Sequence, residues 1–367
     1  MKNIIINNLI DLPTNNSLNY WWCSGFMIFS FLFIQIITGI ILSFLYVADE
    51  SLSFYCVMNL SNDSLFTWFI RYFHIWGVTF IFLIFIIHIG RGLYYSSYLK
   101  ISVWNTGFFL YILMMVEAFL GYILPWHQMS YWAATVLTSV IQSVPLIGNL
   151  MYSYIVGGFS VTNVTLVRMF SGHLILAFVI IGSAILHMFF LHKVGSNNSL
   201  FISSGYSDFN YFHSYYTVKD LFSILSFLCF FIFLLGFYPD LVLEVESYLA
   251  ADSLVTPSSI KPEWYFLFYY AMLRSIPSKI GGLILVIIFL ILLWVPYTSN
   301  SCVYNNIRQI LFWVISSNLL LLSYFGFCVP EEPFITISFL SSIFLIFCLF
   351  IFKFFNILAS IVNKINI

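Results

Sequence analysis

Residues 71–95 read RYFHIWGVTFIFLIFIIHIGRGLYY, an apolar stretch that contains two histidines, His74 and His88. The stretch is long enough to cross a bilayer as a helix, which takes about 20 residues. The 14 positions between the histidines make about four helical turns and a rise of roughly 21 Å. We therefore expect both imidazoles on one face of the helix, one near each membrane surface.

A second apolar stretch, residues 166–192, repeats this pattern with His173 and His187, again 14 positions apart. One other apolar segment separates the two stretches, so both helices are expected to run in the same direction. His74 then lies at the depth of His173, and His88 at the depth of His187. Two imidazoles at one depth on neighbouring helices are an axial ligand pair for a haem iron.

The alternative for these histidines is a structural role, because a lone histidine in a membrane helix often only hydrogen-bonds to a neighbouring helix. Four histidines with one spacing on two parallel helices are much harder to explain in that way. The sequence therefore predicts two haem sites with these four residues as the iron ligands.

Four glycines share the same spacing. Gly25 and Gly39 lie in the first apolar segment, and Gly107 and Gly121 lie in the third, each pair 14 positions apart. Glycine in a helix interior costs roughly 1 kcal/mol relative to alanine, so these positions favour a flat group that approaches the backbone closely, such as a haem face. Glycines that only serve helix packing would instead be spaced by four.

Three arginines lie near the histidines at the expected membrane edges: Arg71, Arg91 and Arg168. A guanidinium at such a place can pair with haem propionates. Snorkelling of a long side chain at a helix end is the alternative for any one of them.

The amino-acid composition indicates that most of the protein surface contacts lipid. Of the 367 residues, 62% are hydrophobic and only 7% are charged, which is typical of a polytopic membrane protein. We predict an all-α fold of eight transmembrane helices, with a di-haem four-helix bundle in residues 1–200 and a second transmembrane domain in residues 201–367. The expected spans are 24–46, 67–91, 104–124, 166–192, 219–238, 281–298, 307–328 and 335–355. The long connections 125–165 and 239–280 are expected to carry chemistry.

The charged residues are few and balanced. A net charge of −1 gives no basic surface for nucleic acid. With eight spans both termini lie on one side, where basic residues are then more numerous, so the positive-inside rule predicts both termini on the negative side of the membrane. The six cysteines form no C-x-x-C-H motif, so any haem is expected to be bound without thioether bonds.

Motifs along nearly the whole chain resemble those of mitochondrial-type cytochrome b, the core subunit of respiratory complex III. The most specific motif is Pro262-Glu263-Trp264-Tyr265. The other matching stretches are Ile10 to Pro13, Trp21-Trp22, Gln35 to Gly39, His88 to Tyr95, Gly121 to Trp126, Gln128 to Ser130, Gly195 to Asn198, Tyr215 to Asp220 and Leu273 to Pro277.

The resemblance implies a set of roles. His74 and His173 would hold a low-potential haem b near the positive side, and His88 and His187 a high-potential haem b near the negative side. Quinol would be oxidised beside Glu263, and its second electron would cross the membrane through the haems to a quinone-reduction site. The quinol pocket would contain Pro262, Glu263, Trp264, Tyr265, Tyr270 and Ala133; the quinone-reduction pocket would contain His192, Ser196, Lys219 and Asp220.

Physical chemistry is consistent with these catalytic roles. Quinol oxidation releases two protons, and partial burial of Glu263 is expected to raise its pKa into a useful range for a proton acceptor. Quinone reduction takes up protons, and His192 and Asp220 are titratable groups near helix ends. A structural charge at a helix start is the alternative for Glu263.

The resemblance also implies partners and a location. The expected partners are a Rieske iron–sulfur protein that takes the first electron, a membrane-bound c-type cytochrome, other complex III subunits and a second copy of the complex in a homodimer. The expected location is the mitochondrial inner membrane with both termini in the matrix, because the sequence carries no targeting segment at its start. A bacterial plasma membrane is the alternative.

Four positions depart from the family pattern: His127 and Ala133 replace glycines, Ser259 replaces a histidine, and Glu117 puts an acid inside the third span. An unpaired charge within a bilayer is expensive, so Glu117 is expected to be protonated or paired. The methyl group of Ala133 is expected to crowd methoxyacrylate-type inhibitors, and an Ala133→Gly variant is then expected to gain sensitivity to them.

Two other classes of protein also carry histidines in membrane helices. A different di-haem membrane anchor of an oxidoreductase would share the paired histidines, but it has no reason to contain the Pro-Glu-Trp-Tyr motif. A haem-free transporter would use its histidines to carry protons and would lack the absorption bands of b-type haem.

Overall fold

Helices account for almost all of the regular structure. The computed structural model describes residues 6–200, 208–295 and 304–365, with side chains as far as Phe354. The α-helices in these residues are α1 (Ser24–Ser43), α2 (Ser53–Asn62), α3 (Leu65–Tyr94), α4 (Ile101–Ile123), α5 (Gln128–Gln142), α6 (Gly148–Val156), α7 (Asn163–Val194), α8 (Phe212–Phe237), α9 (Leu267–Arg274), α10 (Lys279–Trp294), α11 (Asn306–Phe327) and α12 (Phe334–Ile365).

The remaining elements are short. Single helical turns cover Ile6–Ile10, Tyr20–Cys23, Ser97–Leu99, Pro239–Val242, Val245–Tyr248 and Trp264–Phe266. Strands β1 (Pro13–Asn15) and β2 (Phe209–Tyr211) pair antiparallel, with Pro13 opposite Tyr211. This pairing attaches the N-terminal segment to the start of α8.

Seven helices of the described residues are long and apolar enough to span a membrane: Tyr20–Ser43, Leu65–Tyr94, Ile101–Ile123, Asn163–Val194, Phe212–Phe237, Asn306–Phe327 and Phe334–Phe354. These agree with seven of the eight predicted spans, and the predicted all-α membrane fold is confirmed.

The eighth predicted span, 281–298, corresponds to the shorter helix α10. It has 16 residues, or about 24 Å of helix, against roughly 30 Å for a hydrocarbon core. Helix α10 ends where Val295 turns extended, with ψ of 113°, because a following proline disfavours helical backbone. Residues 296–298 of the predicted span lie outside the described residues.

The histidine-bearing helices pack beside the glycine-bearing helices. Helix α1 lies along α3, and α4 lies along α7. Phe31, Phe80 and Ile84 are fully buried in the core of this bundle, and Phe231 of α8 is buried with them. Helices α9 to α12 form a second apolar core around Met272. The domain boundary at residue 200 stays a prediction, because α8 contributes to the N-terminal core.

The two long connections contain helices and meet each other. The backbone N–H of Gln128 donates to Leu249 O (3.0 Å), and that of Ala251 donates to Trp126 O (3.1 Å). The Gln128 side chain adds a bond from Nε2 to Val255 O (3.1 Å) and accepts from the Asp252 N–H (3.0 Å). Residues 125–165 and 239–280 therefore form one structure at one end of the bundle.

Candidate haem and quinone sites

The four histidines of α3 and α7 lie inside the bundle in two tiers. The ring centres of His74 and His173 are 6.4 Å apart, with their planes at 80°. Two imidazoles that share one metal ion, each bonded at about 2.0–2.1 Å, place their ring centres roughly 6 Å apart. The spacing of this pair therefore suits one iron atom between the rings.

The second tier is His88 with His187. These imidazoles are close enough to interact electrostatically, and Arg91 interacts with both of them. Both tiers thus join α3 to α7 as the sequence analysis predicts. Within the described residues no group of three or more His, Cys, Asp and Glu side chains surrounds a metal position, and a haem that is held by two histidines would require none.

Each of the four glycines lies against one histidine ring. A Cβ atom on Gly25 would lie 3.3 Å from Cε1 of His88, and one on Gly39 would lie 3.2 Å from Cε1 of His74. The corresponding distances are 2.9 Å from Gly107 to His187 and 2.7 Å from Gly121 to His173. The flat group beside each glycine is therefore an imidazole. Contact between these glycines and a haem face stays a prediction.

Three of the histidines share one kind of partner on Nδ1. The Oγ1 atoms of Thr38 and Thr106 lie 2.9 Å from His74 Nδ1 and 3.0 Å from His187 Nδ1. Ser24 Oγ lies 2.9 Å from His88 Nδ1. Each hydroxyl residue directly precedes a glycine of the 14-residue pattern, a signal that the sequence analysis missed.

The hydroxyl groups define the tautomer of these rings. Thr38 donates its own proton to Ile34 O (2.8 Å), Thr106 donates to Ser102 O (2.9 Å), and Ser24 donates to Trp21 O (2.8 Å). Each hydroxyl oxygen is then left to accept the Nδ1–H of its histidine. Nε2 consequently carries the lone pair, which is the form that binds a metal.

His173 differs from the other three. Residue 120, which precedes Gly121, is leucine, and Nδ1 of His173 faces Glu117 instead. Its distances are 3.1 Å to the Glu117 backbone oxygen and 3.0 Å to Oε1 of the Glu117 side chain. The acid that sequence analysis left without a partner is therefore paired with a candidate haem ligand.

The space between the two tiers is apolar. A cavity of about 40 Å³ lies at mid-height, lined by two residues from each of the four helices. These residues are Ile28, Leu32, Ile81, Phe85, Leu110, Met114, Ile180 and Ala184. Such a lining excludes water and separates the two pairs of histidines.

The three arginines have different surroundings. Arg91 stacks on the Trp22 ring at 5.3 Å, and its buried Nε has no hydrogen-bond partner among the described residues. A buried guanidinium nitrogen without a partner fits an anionic ligand group such as a propionate. Arg71 is also buried and donates to Ser61 Oγ.

Arg168 is exposed and is engaged elsewhere. Its guanidinium donates to the Tyr154 backbone oxygen and stacks on the Tyr154 ring, at the C-terminus of α6. A cation at a helix C-terminus is stabilised by the helix dipole. The structure therefore gives Arg168 a capping contact and does not bring it to the His173 tier.

The predicted quinol pocket lies where the two long connections meet. Tyr265 is buried and stacks on Phe82 of α3, with ring centres 4.0 Å apart and planes at 3°. The Tyr270 hydroxyl donates to Ile260 O (2.9 Å), and Arg274 lies over the Tyr270 ring at 5.1 Å. The Pro-Glu-Trp-Tyr motif is therefore held against the histidine-bearing helix. Ala133 is partly buried in α5.

Glu263 has a strongly altered titration. Burial of its carboxyl group, reinforced by the negative charge of Glu244, raises the pKa of Glu263 to about 8. The direction is the one expected from the sequence. A carboxyl group with this pKa can exchange a proton near neutral pH.

His127, one of the departures from the family pattern, caps α5. Its Nδ1 accepts the backbone N–H of Ser130 (3.0 Å), and its ring meets Tyr122 at 5.5 Å between centres. Burial, together with the positive charge of Arg71, lowers the pKa of His127 to about 3. The imidazole is therefore neutral at physiological pH, with its proton on Nε2.

The predicted quinone-reduction residues gather around the N-terminal segment. Lys219 Nζ donates to Leu18 O (3.1 Å) and lies over the Tyr215 ring at 4.6 Å. Asp220 is buried and interacts with Cys23, a neighbour that the sequence analysis did not identify. The backbone oxygen of Ser196 accepts from Asn15 Nδ2 (3.4 Å).

His192 is half-buried near the C-terminus of α7. Three of the four predicted residues of this pocket are thus brought to residues 13–23, and His192 lies at the adjoining helix end.

Comparisons with known proteins agree with this architecture. Residues 9–195 match the family described as "Cytochrome b/b6/petB", and residues 250–347 match "Cytochrome b(C-terminal)/b6/petD". The chain also resembles a solved chain of "Hyperthermophilic respiratory Complex III", at 26% sequence identity and a TM-score of 0.90, over 97% of this chain and 96% of that one.

A membrane-spanning helix bundle with two tiers of paired histidines defines a class of haem-binding electron-transfer proteins. Within that class, this chain belongs to the cytochrome b/b6 family.

Proposed function

We propose that this chain is the cytochrome b subunit of a quinol:cytochrome c reductase of the complex III type. The proposed reaction oxidises quinol on the positive side of the membrane, delivers one electron to a Rieske iron–sulfur protein, and reduces quinone on the negative side with the other. The observation that carries this proposal is the pair of histidine tiers joining two parallel membrane helices.

His74 with His173, and His88 with His187, would hold two non-covalent haems b, of low and high potential respectively. The spacing of 6.4 Å in the first pair and the Nδ1 partners of all four rings support this assignment. Bound haem supplies one-electron transfer. Arg91 and Arg71 would bind propionates. Arg168 is a weaker candidate because its guanidinium already caps α6.

Glu263 would accept a proton from the quinol, in a pocket formed with Pro262, Trp264, Tyr265, Tyr270 and Ala133. A pKa of about 8 leaves the carboxylate basic enough to take the proton and acidic enough to release it. His192 and Asp220 would supply protons to quinone on the other side, where Lys219 and Ser196 would help to bind it. Proton release on one side and uptake on the other would build a proton gradient.

The proposed setting is a homodimeric complex with a membrane-bound c-type cytochrome and further subunits. We propose the mitochondrial inner membrane, with both termini in the matrix and the domains divided near residue 200. A bacterial plasma membrane is the alternative. The similarity to a chain of "Hyperthermophilic respiratory Complex III" supports membership in such a complex.

The test is quinol-dependent reduction of cytochrome c by the purified complex. We expect this activity to fall about 10²-fold in Glu263→Gln, with the b-type absorption bands unchanged. Another di-haem membrane anchor of an oxidoreductase would show the bands without the activity, and a haem-free transporter would show neither.

A further inference from the structure

Among the four candidate haem ligands, His173 has a partner of a different chemical type. The Nδ1 atoms of His74, His88 and His187 face neutral hydroxyl groups at 2.9–3.0 Å. Nδ1 of His173 faces Oε1 of Glu117 at 3.0 Å. The two tiers therefore differ electrostatically: the His74–His173 tier contains a carboxyl group beside Nδ1, and the His88–His187 tier contains hydroxyl groups there.

The carboxyl group of Glu117 has few other contacts. Its side chain is 12% exposed, that of His173 is 17% exposed, and Oε2 of Glu117 is buried without a hydrogen-bond partner among the described residues. An acid inside a membrane helix is costly and usually marks a functional site. The backbone oxygen of Glu117 lies 3.1 Å from the same Nδ1, so this ring nitrogen faces two oxygens of Glu117, of which the side-chain oxygen is the nearer at 3.0 Å.

A carboxyl group on the far nitrogen of a metal-bound imidazole makes the ligand more basic. Hydrogen bonding to an axial ligand in turn changes the haem potential, since a stronger donor and a nearby negative charge both favour the ferric state. Neutral hydroxyl partners exert a smaller effect, because hydrogen bonds to charged groups are roughly twice as strong as neutral ones.

We propose that Glu117 is a positioning residue that lowers the reduction potential of the haem held by His74 and His173, and so widens the potential difference between the two haems. This inference rests on the proposed function, because it requires haem at both tiers. It attributes the lower reduction potential to the Glu117 side chain and confines the effect to the haem held by His74 and His173.

The experiment is a redox titration of both b haems in the intact complex, comparing wild type with Glu117→Gln. Glutamine keeps the shape and an oxygen acceptor while it removes the acid. We expect the ferric–ferrous equilibrium of the His74–His173 haem to shift at least tenfold toward ferrous, which is about 59 mV for a one-electron couple. The other haem is expected to shift less than twofold.

The matched control is Thr38→Val, which removes the neutral partner of His74, the other ligand of the same haem. It is expected to shift the equilibrium less than Glu117→Gln does. Haems present with both potentials unchanged in Glu117→Gln, or with both shifted equally, would overturn the inference while leaving the proposed function intact. Lack of b-type haem in the wild-type complex would overturn both.

If Glu117→Gln does not assemble with haem, Glu117→Asp carries the test. The shorter side chain draws the carboxyl group away from Nδ1, so a shift in the same direction of between twofold and tenfold is expected. An unchanged potential in Glu117→Asp, or a shift toward ferric, overturns the inference. The low-spin electron paramagnetic resonance signal of the same haem provides a second readout, which should change in Glu117→Gln and persist in Thr38→Val.

Discussion

The glycines beside the histidines tolerate a side chain to different degrees. A Cβ atom on Gly121 would lie 2.7 Å from Cε1 of His173, closer than real contacts allow, whereas one on Gly25 would lie 3.3 Å from Cε1 of His88. The imidazoles are confined by their Nδ1 hydrogen bonds, so the Gly121 clash cannot be relieved by a small rotation.

We therefore predict that Gly121→Ala loses the haem of the His74–His173 tier and retains about one haem per chain, while Gly25→Ala retains two. Haem content of the purified variants is the measurement. Gly182→Ala is the control, since its Cβ atom would meet nothing within 4 Å on α7. Two haems with unchanged spectra in Gly121→Ala would contradict the close contact.

The raised pKa of Glu263 predicts a pH dependence. Only the carboxylate can accept a proton, and with a pKa of about 8 its population grows as the pH rises from 6 to 9. The rate of quinol oxidation is therefore expected to rise with pH over this range. In Glu263→Gln we expect a rate about 10²-fold lower that no longer rises with pH.

A second variant separates the causes of the raised pKa. Glu244→Gln removes the like charge that reinforces burial, so the carboxylate of Glu263 forms more easily and the rising limb should move to lower pH. Steady-state rates against pH provide the measurement. If the rate rises over the same pH range in Glu244→Gln as in the wild type, the rise is due to a titratable group other than Glu263.

Most of the helices, and the two histidine tiers that they carry, could be predicted from the sequence. Hydropathy located the seven long membrane helices of the described residues and the shorter helix α10, and the 14-residue spacing located both histidine tiers. It overestimated the span at 281–298, because Pro296 ends α10 after Trp294 and a hydropathy window does not register that effect.

The partner of Glu117 could not be predicted in the same way. Its side chain meets His173 only because α4 and α7 pack with a particular rotation about their axes, and that rotation follows from the packing of the whole bundle. By contrast, the hydroxyl residues before Gly25, Gly39 and Gly107 were visible as a pattern in the sequence.

The contact between the two long connections is also an element-scale feature that can be tested. The buried side chain of Gln128 joins α5 to Asp252 and Val255. Gln128→Leu removes both bonds, each worth about 1 kcal/mol, and leaves the Val255 oxygen with one partner fewer. We predict about a tenfold or greater loss in kcat/KM for quinol with unchanged haem spectra.

The matched control for this variant is Gln142→Leu in the same helix, whose exposed side chain donates to Asn149 Oδ1 (3.2 Å) and does not contact residues 249–255 in the hydrogen bonds of the described residues. It should leave quinol kinetics unchanged. If the two substitutions lower kcat/KM for quinol equally, the loss comes from placing leucine in α5 and not from the broken contact with residues 249–255.

The whole molecule exposes many large apolar side chains on its membrane helices, such as Phe178 on α7 and Leu225 on α8, which are 58% and 52% exposed. A soluble protein would bury such groups, whereas a lipid environment accommodates them. The described part of the molecule therefore has an apolar exterior on its membrane helices and an apolar cavity between the histidine tiers.

The two pairs of imidazoles on parallel helices are each expected to hold one haem. Anaerobic pyridine haemochrome analysis of the purified protein should find two non-covalent haems b per chain, falling to one in either His173→Leu or His187→Leu. A wild-type protein without b-type haem, or variants that both keep two haems, would rule out these histidine pairs as the haem sites.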